Sequence, residues 1–200
     1  MKKIKRKATK IMLMRHAEKP DKDFAPFGVS RKGERNKESL QVRGWQRAGA
    51  LIGLFAHPNG DVAPALAKPH FLYASKPLRR RGSRRSLQTL APLSEKLGLE
   101  INIAFPRFEF EEMLDDVYKR KGVVLICWQR EYIPEIALKI LGDRKVVPAI
   151  WPEDRYDMIW VFDLDHKTDR YHFKQVPQKL LAGDLTTPIR SMETLAASLA

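Results

Sequence analysis

Arg15 and His16 stand side by side directly after the apolar run Ile11-Met12-Leu13-Met14. The pair joins a permanent cation to an imidazole that can serve as base or nucleophile. It sits where a short strand is expected to end, and in open α/β sheets ligands bind at the carboxyl ends of strands. Two further runs expected to be strands also end in polar groups. Phe71-Leu72-Tyr73-Ala74 leads into Ser75 and then Ser83-Arg84-Arg85-Ser86-Leu87-Gln88-Thr89. Val123-Val124-Leu125-Ile126-Cys127-Trp128 leads into Gln129-Arg130-Glu131. In a parallel sheet these three loops share one edge, so two or three guanidiniums, a histidine and a carboxylate would face a common point. That assembly suits a phosphoryl group. Arginine forks bind its oxygens, histidine can attack phosphorus, and a protonated carboxyl can hand a proton to the departing oxygen.

The elements that must position these groups alternate. Besides the three runs above, 158–162 reads as a fourth strand, with a hairpin partner around Tyr171-His172-Phe173 across 165–169, and Ile101-Asn102-Ile103 as a short edge strand. The six nearly continuous apolar residues ending at Trp128 suit a strand buried on both faces. Helical stripes fall between the strands. Trp45, Ala48, Leu51, Ile52 and Phe55 mark a helix over 44–55. Leu87, Leu90, Leu93 and Leu97 mark another, with Pro92 inside and Gly98 at its end. Ile133, Ile136, Ala137, Ile140 and Leu141 mark a third, with Pro134 in its first turn and Gly142 closing it. The alternation predicts an α/β fold of three layers, α/β/α, with a mostly parallel central sheet. Trp45, Trp128 and Trp160 are expected in the core, and Trp151 as a candidate wall of the site.

Composition narrows the class. The 200 residues are 44% hydrophobic and 30% charged, in the range of a globular domain. No apolar stretch approaches the ~20 residues that cross a bilayer, and the basic start is followed by no hydrophobic signal core. The single cysteine, Cys127, has no internal disulfide partner and is expected buried, which favours the cytoplasm. The net charge of +13 is concentrated. Residues 1–10 hold six basic and no acidic residues, and Lys76, Arg79, Arg80, Arg81, Arg84 and Arg85 add six more. Such patches attract polyanions or line a phosphate pocket. Neither is interleaved with base-stacking aromatics, which weighs against nucleic acid. The chain divides into a basic arm over 1–10, a domain over 11–180 and a tail over 181–200.

Arg15-His16-Ala17 resembles the Arg-His-Gly motif that opens the histidine phosphatase, or phosphoglycerate mutase-like, superfamily. Gly44-Trp45-Gln46-Arg47-Ala48 is similar to that family's Gly-x-x-Arg/Gln-Ala helix. Tyr73-Ala74-Ser75 with Arg85-Ser86-Leu87-Gln88-Thr89 is similar to its second motif, where an Arg precedes a Thr by four residues. The resemblance spans 11–173 and implies a phosphoglycerate mutase-like fold. It also implies phosphomonoester hydrolysis through a phosphohistidine on His16, with Arg15 and Arg85 as phosphate ligands and no metal or organic cofactor. The partner it implies is a phosphorylated small molecule or phosphopeptide.

One departure changes the expected chemistry. The family's second pocket histidine follows the strand that contains Cys127, and here that position reads as Arg130. His57, His70, His166 and His172 all fall outside that register. A guanidinium still donates to phosphate but cannot lose a proton at neutral pH, so any acid/base role there is gone. The expectation is a slow phosphatase, with a catalytically inactive pseudophosphatase that binds a phosphorylated ligand as the alternative. The resemblance leaves the proton donor open among Glu131, immediately after Arg130, and Glu109, Glu111 and Glu112. Glu18, Lys19 and Ser75 are candidates for the rim, although Glu18 could equally pair with a neighbouring arginine.

Overall fold

The computed structural model of the chain describes residues 6–21, 24–56, 64–78 and 82–190. Its six strands are β1 (Ala8–Arg15), β2 (Phe71–Ala74), β3 (Ile101–Asn102), β4 (Gly122–Trp128), β5 (Met158–Asp165) and β6 (Arg170–Pro177). Its four helices are α1 (Val42–Phe55), α2 (Arg85–Leu97), α3 (Phe110–Lys119) and α4 (Ile133–Leu141). The strands form one sheet in the order β3-β2-β4-β1-β5-β6. The pairs β2–β3, β2–β4 and β1–β4 are parallel, and β1–β5 and β5–β6 are antiparallel.

Alternation along each strand builds a two-sided core. Ile11, Leu13, Val124, Ile126, Trp128 and Trp160 face α3 and α4. Met12, Met14, Leu125, Cys127, Ile159 and Val161 face α1 and α2. β1 and β4 carry apolar residues on both faces, as central strands of a covered sheet must. Gly98 and Gly142 close α2 and α4 in the left-handed region, at φ 66° and 75°. No helix among the described residues is long and apolar enough to cross a membrane.

The structure departs from the sequence reading in four places. The first strand begins at Ala8, and the basic residues Arg6, Lys7 and Lys10 are built into the fold. Arg6 lies over the rings of Tyr118 and Tyr171 and donates to the Asp169 carbonyl at 2.6 Å. Lys10 binds Asp163. Residues 6–10 of the arm expected over 1–10 thus belong to the domain, and the rest of that arm lies outside the described residues. At the other end, Asp184 and Ile189 of the tail expected over 181–200 are packed against the domain, and 191–200 lie outside the described residues. Helix α3 is absent from the sequence reading, although Phe110, Met113, Leu114, Val117 and Tyr118 recur at helical spacing on its packed face. Trp45 is half-buried, not core; its indole donates to the Val29 carbonyl at 2.8 Å and pins the loop before α1.

Behind the carboxyl edge of β1 lies a buried ionic cluster. Arg47 of α1 donates from Nε and Nη2 to Glu18 at 3.0 and 2.8 Å, and from Nη2 to Asp184 at 2.7 Å. Its Nη1 reaches Gln178 at 3.0 Å. Gly44 lets α1 come this close, since a Cβ there would sit 2.6 Å from the Glu18 carbonyl oxygen. Burial alone would raise the Asp184 pKa, but hydrogen bonds from Arg47 and from the Leu181 and Leu180 amides hold it below the ordinary value. That stabilisation is present above the ordinary carboxylate range and is lost as pH falls through the depressed value.

Removing one partner of a buried ion cluster costs about 3–5 kcal/mol because the others stay buried without counter-charge. Arg47→Met is therefore expected to lower the urea midpoint strongly at pH 7. The gap to wild type should narrow as pH falls toward 4 and the stranded carboxylates protonate. A gap that does not change with pH would assign the loss to packing alone.

Candidate active site

The three parallel strands β1, β2 and β4 end on one edge, together with the first turn of α2 and the segment leading into β5. His16 is the first residue past β1, and its amide extends the ladder by donating to the Trp128 carbonyl at 3.1 Å. Its Nδ1 lies 2.7 Å from the Ala17 carbonyl oxygen. A carbonyl only accepts, so Nδ1 carries the proton and Nε2 presents a lone pair. Ala17 is held in turn: its amide donates to Thr89 Oγ1 at 2.8 Å, and that hydroxyl donates to the Arg85 carbonyl at 2.7 Å. The first turn of α2 thus anchors Ala17, whose carbonyl sets the tautomer of His16. Burial, and next to it the charge of Arg15, pushes the His16 pKa down to about 3; the Ala17 hydrogen bond opposes this, while Arg85 and Lys19 add to it.

Arg15 is 2% exposed, and its guanidinium is only partly spent. Nη1 donates to the carbonyls of Glu153 at 2.5 Å and Arg155 at 3.1 Å, with Pro152 at 3.3 Å. Nη2 donates to the Tyr156 hydroxyl at 3.2 Å, and Cζ lies 3.9 Å from that ring's centroid. Nε is buried and has no partner. Arg85 opens α2 with Nε and Nη2 on the Ser39 and Lys37 carbonyls, at 3.3 and 2.6 Å. Its Nη1 makes no hydrogen bond to the described residues, and its charge reaches both His16 and Tyr156.

The remaining expected residues are placed differently. Arg15 pairs with Trp128 across the β1–β4 ladder, so the next residue, Gln129, stands opposite His16. Arg130 lies one step further out, half-buried at the mouth, 3.6 Å from Glu131 and 3.8 Å from Glu153. Gln129 is buried. Its Nε2 donates to Ser75 Oγ at 2.6 Å, which turns Ser75 into a floor contact and leaves Gln129 Oε1 without a partner. Glu18 is not on the rim, because the ionic cluster with Arg47 holds its carboxylate. Lys19 is on the rim, 2.5 Å from Glu153. Glu131 is 59% exposed. Glu111 is bound to Lys139 at 2.8 Å, Glu109 is the N-cap residue of α3, and Glu112 is exposed. Trp151 does not wall the site: it packs on Trp160 at 5.0 Å and bonds the Arg155 carbonyl, shaping the turn that receives Arg15.

Sequence reasoning missed Tyr156, Glu153 and Gln129. The first two act through a segment with no motif, and the only signal was Trp151-Pro152 before a strand. Gln129 was passed over in favour of Arg130; the pairing of Arg15 with Trp128 sets it opposite His16. Among the described residues no group of three or more His, Cys, Asp or Glu could hold a metal ion.

Comparison with solved structures decides the architecture. A protein assigned as an alpha-ribazole-5'-P phosphatase from Escherichia coli K-12 superposes with a TM-score of 0.54 at 12% identity, over 88% of this chain and 100% of its own. Mycobacterial glucosyl-3-phosphoglycerate phosphatase gives 0.50 at 12% identity, over 83% and 97%. A protein assigned as the phosphohistidine phosphatase SixA from Agrobacterium tumefaciens gives 0.50 at 15%, over 84% and 96%. The chain has the histidine phosphatase fold. At these identities the likeness is one of fold, and no family model and no curated protein matches the sequence. The three-layer, phosphoglycerate mutase-like architecture expected from the sequence is the one found.

A depressed histidine pKa has a direct signature. Between its ordinary value of 6.5 and about 3 the unfolded chain binds a proton that the folded one does not, so this group makes stability fall as pH drops through that window. In a histidine-selective NMR titration, the His16 ring signals are expected to stay those of the neutral Nδ1–H tautomer down to pH 4.5. A midpoint near 6.5 would mean that the ring is solvated and not buried against Arg15.

Proposed function

We propose that the chain hydrolyses phosphomonoesters through a phosphohistidine formed on His16. The observation that carries this reading is the buried, unpartnered Nε of Arg15 beside an imidazole whose Nε2 is free. A phosphate dianion takes Nε–H and the remaining Nη2–H of Arg15 as a bidentate pair and Nη1 of Arg85 as a further donor. His16 Nε2 attacks phosphorus in line; an N–P bond forms and the P–O bond to the leaving group breaks. Glu131 is the candidate that protonates the departing oxygen. Water then attacks phosphorus, the N–P bond breaks, Glu131 takes the water's proton, and inorganic phosphate leaves behind a neutral imidazole. Phosphorylated small molecules and phosphopeptides are the substrate classes of this reading. The buried, unpaired Cys127 fits a reducing compartment such as the cytoplasm.

The weak link is the proton. Glu131 stands exposed in a 3.6 Å ion pair with Arg130, which leaves its carboxyl poorly placed to hand a proton to a leaving oxygen. Turnover is therefore slow for basic leaving groups and faster for aryl phosphates, whose oxygen departs unprotonated. The same observation favours a second reading, a site that binds a phosphorylated ligand without turnover. The other carboxyls offer no better donor: Glu111 is tied to Lys139, and Lys19 foremost holds Glu153 below the ordinary carboxylate range.

Hydrolysis of an aryl phosphate in the presence of a metal chelator separates the two. Turnover is expected in the wild type, reduced roughly a thousandfold or more in His16→Ala, as befits loss of a nucleophile. Arg15→Lys should cost on the order of 100-fold or more, since an anion-stabilising donor is lost along with the carbonyl anchor. Acid-labile, base-stable phosphate trapped on the wild type would identify the intermediate. Phosphate binding without any turnover would establish the binder, and neither turnover nor binding would overturn both readings.

A further inference from the structure

We infer that the mouth of this site holds a second anion subsite, formed by Lys19 and Arg130, and that its ligand is a phosphomonoester carrying another acidic group near the ester. The inference rests on the proposed phosphate pocket and extends it outward. Three observations carry it.

First, the two side chains converge on one atom. Lys19 Nζ and Arg130 Nη2 lie 2.5 and 3.8 Å from the same carboxylate oxygen, Oε1 of Glu153. Glu153 is positioned by its own backbone, whose carbonyl receives Arg15 Nη1. Its side chain therefore rises beside the phosphate pocket and occupies the position a substrate's second anion would take. Second, Arg130 is underused. Its side chain is only 27% exposed, yet its guanidinium makes no hydrogen bond to the described residues, and both of its ion pairs are long. Five N–H donors on a half-buried fork are available to an incoming acid. Third, the local charge exceeds what one phosphate needs. Arg15 and Arg85 suffice for a phosphoryl dianion, and the charge of Arg130 falls on Arg15 while that of Lys19 falls on His16.

Glu153 can give way cheaply. Its side chain is 63% exposed, and exposed ion pairs contribute little, so a ligand anion that brings better geometry displaces it. Hydrogen bonds to charged groups contribute roughly 1.5–3 kcal/mol, enough for about tenfold selectivity or more between esters with and without the second acid. The shared chemistry is an anionic oxygen group, either a carboxylate or a second phosphate.

Calorimetric titration with three small ligands tests this without relying on turnover. Ethyl phosphate carries one anionic group, phosphoglycolate adds a carboxylate on the same two-carbon frame, and ethane-1,2-diyl bisphosphate adds a phosphate. The wild type is expected to bind at least one of the two-acid ligands about tenfold or more tightly than ethyl phosphate. Whichever is preferred names the source of the anion. In Lys19→Met and Arg130→Met the ratio should fall toward one, and in Glu153→Gln it should rise above the wild-type ratio. The ratio cancels changes common to all esters, and a thermal melt of each variant confirms folding. A wild-type ratio near one with ethyl phosphate still bound would overturn the subsite and leave the phosphate pocket standing. A ratio unaffected by both cation substitutions would do the same. No binding of any ester would overturn the pocket and the subsite together.

Discussion

A fully buried guanidinium at the end of β1 is the constraint around which the carboxyl edge is organised. Moving a cation out of water is costly unless its donors are met. Arg15 meets most of them with backbone carbonyls from the 152–155 turn and with the face and hydroxyl of Tyr156. Those contacts bring the lead-in of β5 against the end of β1, which is why a segment without a recognisable motif contributes so much of the site. Satisfaction is incomplete at one atom. Nε stays buried and unpaired, and it lies on the side-on edge of the fork that matches two phosphate oxygens. An arginine evolved only to brace the turn would have no reason to leave that edge bare.

The same economy runs through the second layer. Glu18 follows His16 by two residues and is fixed by Arg47, which also gathers Asp184 and Gln178 from the far end of the chain. Thr89 reaches from α2 to the Ala17 amide. The short segment that carries the imidazole is therefore gripped from α1 on one side and α2 on the other. Close positioning of a nucleophile needs such grip, because small displacements are costly in rate. Here it comes from a buried charge cluster and a single hydroxyl.

Much of this was legible in the sequence, and the reasons for the exceptions are physical. Strand runs with apolar residues on both faces, and helices closed by Gly98 and Gly142, announce themselves because periodicity and left-handed glycines are local signals. Arg15, His16 and Arg85 were legible because strand ends and a helix start already imply one edge. Helix α3 was passed over although Phe110, Met113, Leu114, Val117 and Tyr118 recur at helical spacing, because the element is short and acidic residues fill the positions between them. Tyr156 and Glu153 depend on how an antiparallel strand approaches β1, which no local pattern encodes. Gln129 and Arg130 differ by one residue in register, and only the ladder between Arg15 and Trp128 separates them. Glu18 looked like a rim carboxylate because its partner Arg47 lies 29 residues away on another element.

The cationic surplus at this edge does two things at once, and they pull in opposite directions. Burial together with Arg15, Arg85 and Lys19 keeps His16 unprotonated at neutral pH, as the proposed nucleophile must be. The same charges attract anions and would hold a phosphoenzyme or a product phosphate as firmly as a transition state, which gains no rate. Glu153 moderates that tension. By lying between Lys19 and Arg130 it lowers the resting charge at the mouth without touching the guanidinium edge or the imidazole that do the chemistry. A ligand with one phosphate meets a partly neutralised rim and can leave again, whereas a ligand with a second acid can exchange places with Glu153 and be held at both ends. On the proposed function, selectivity then resides in an exposed, exchangeable ion pair, apart from the buried groups that would hold the phosphoryl group.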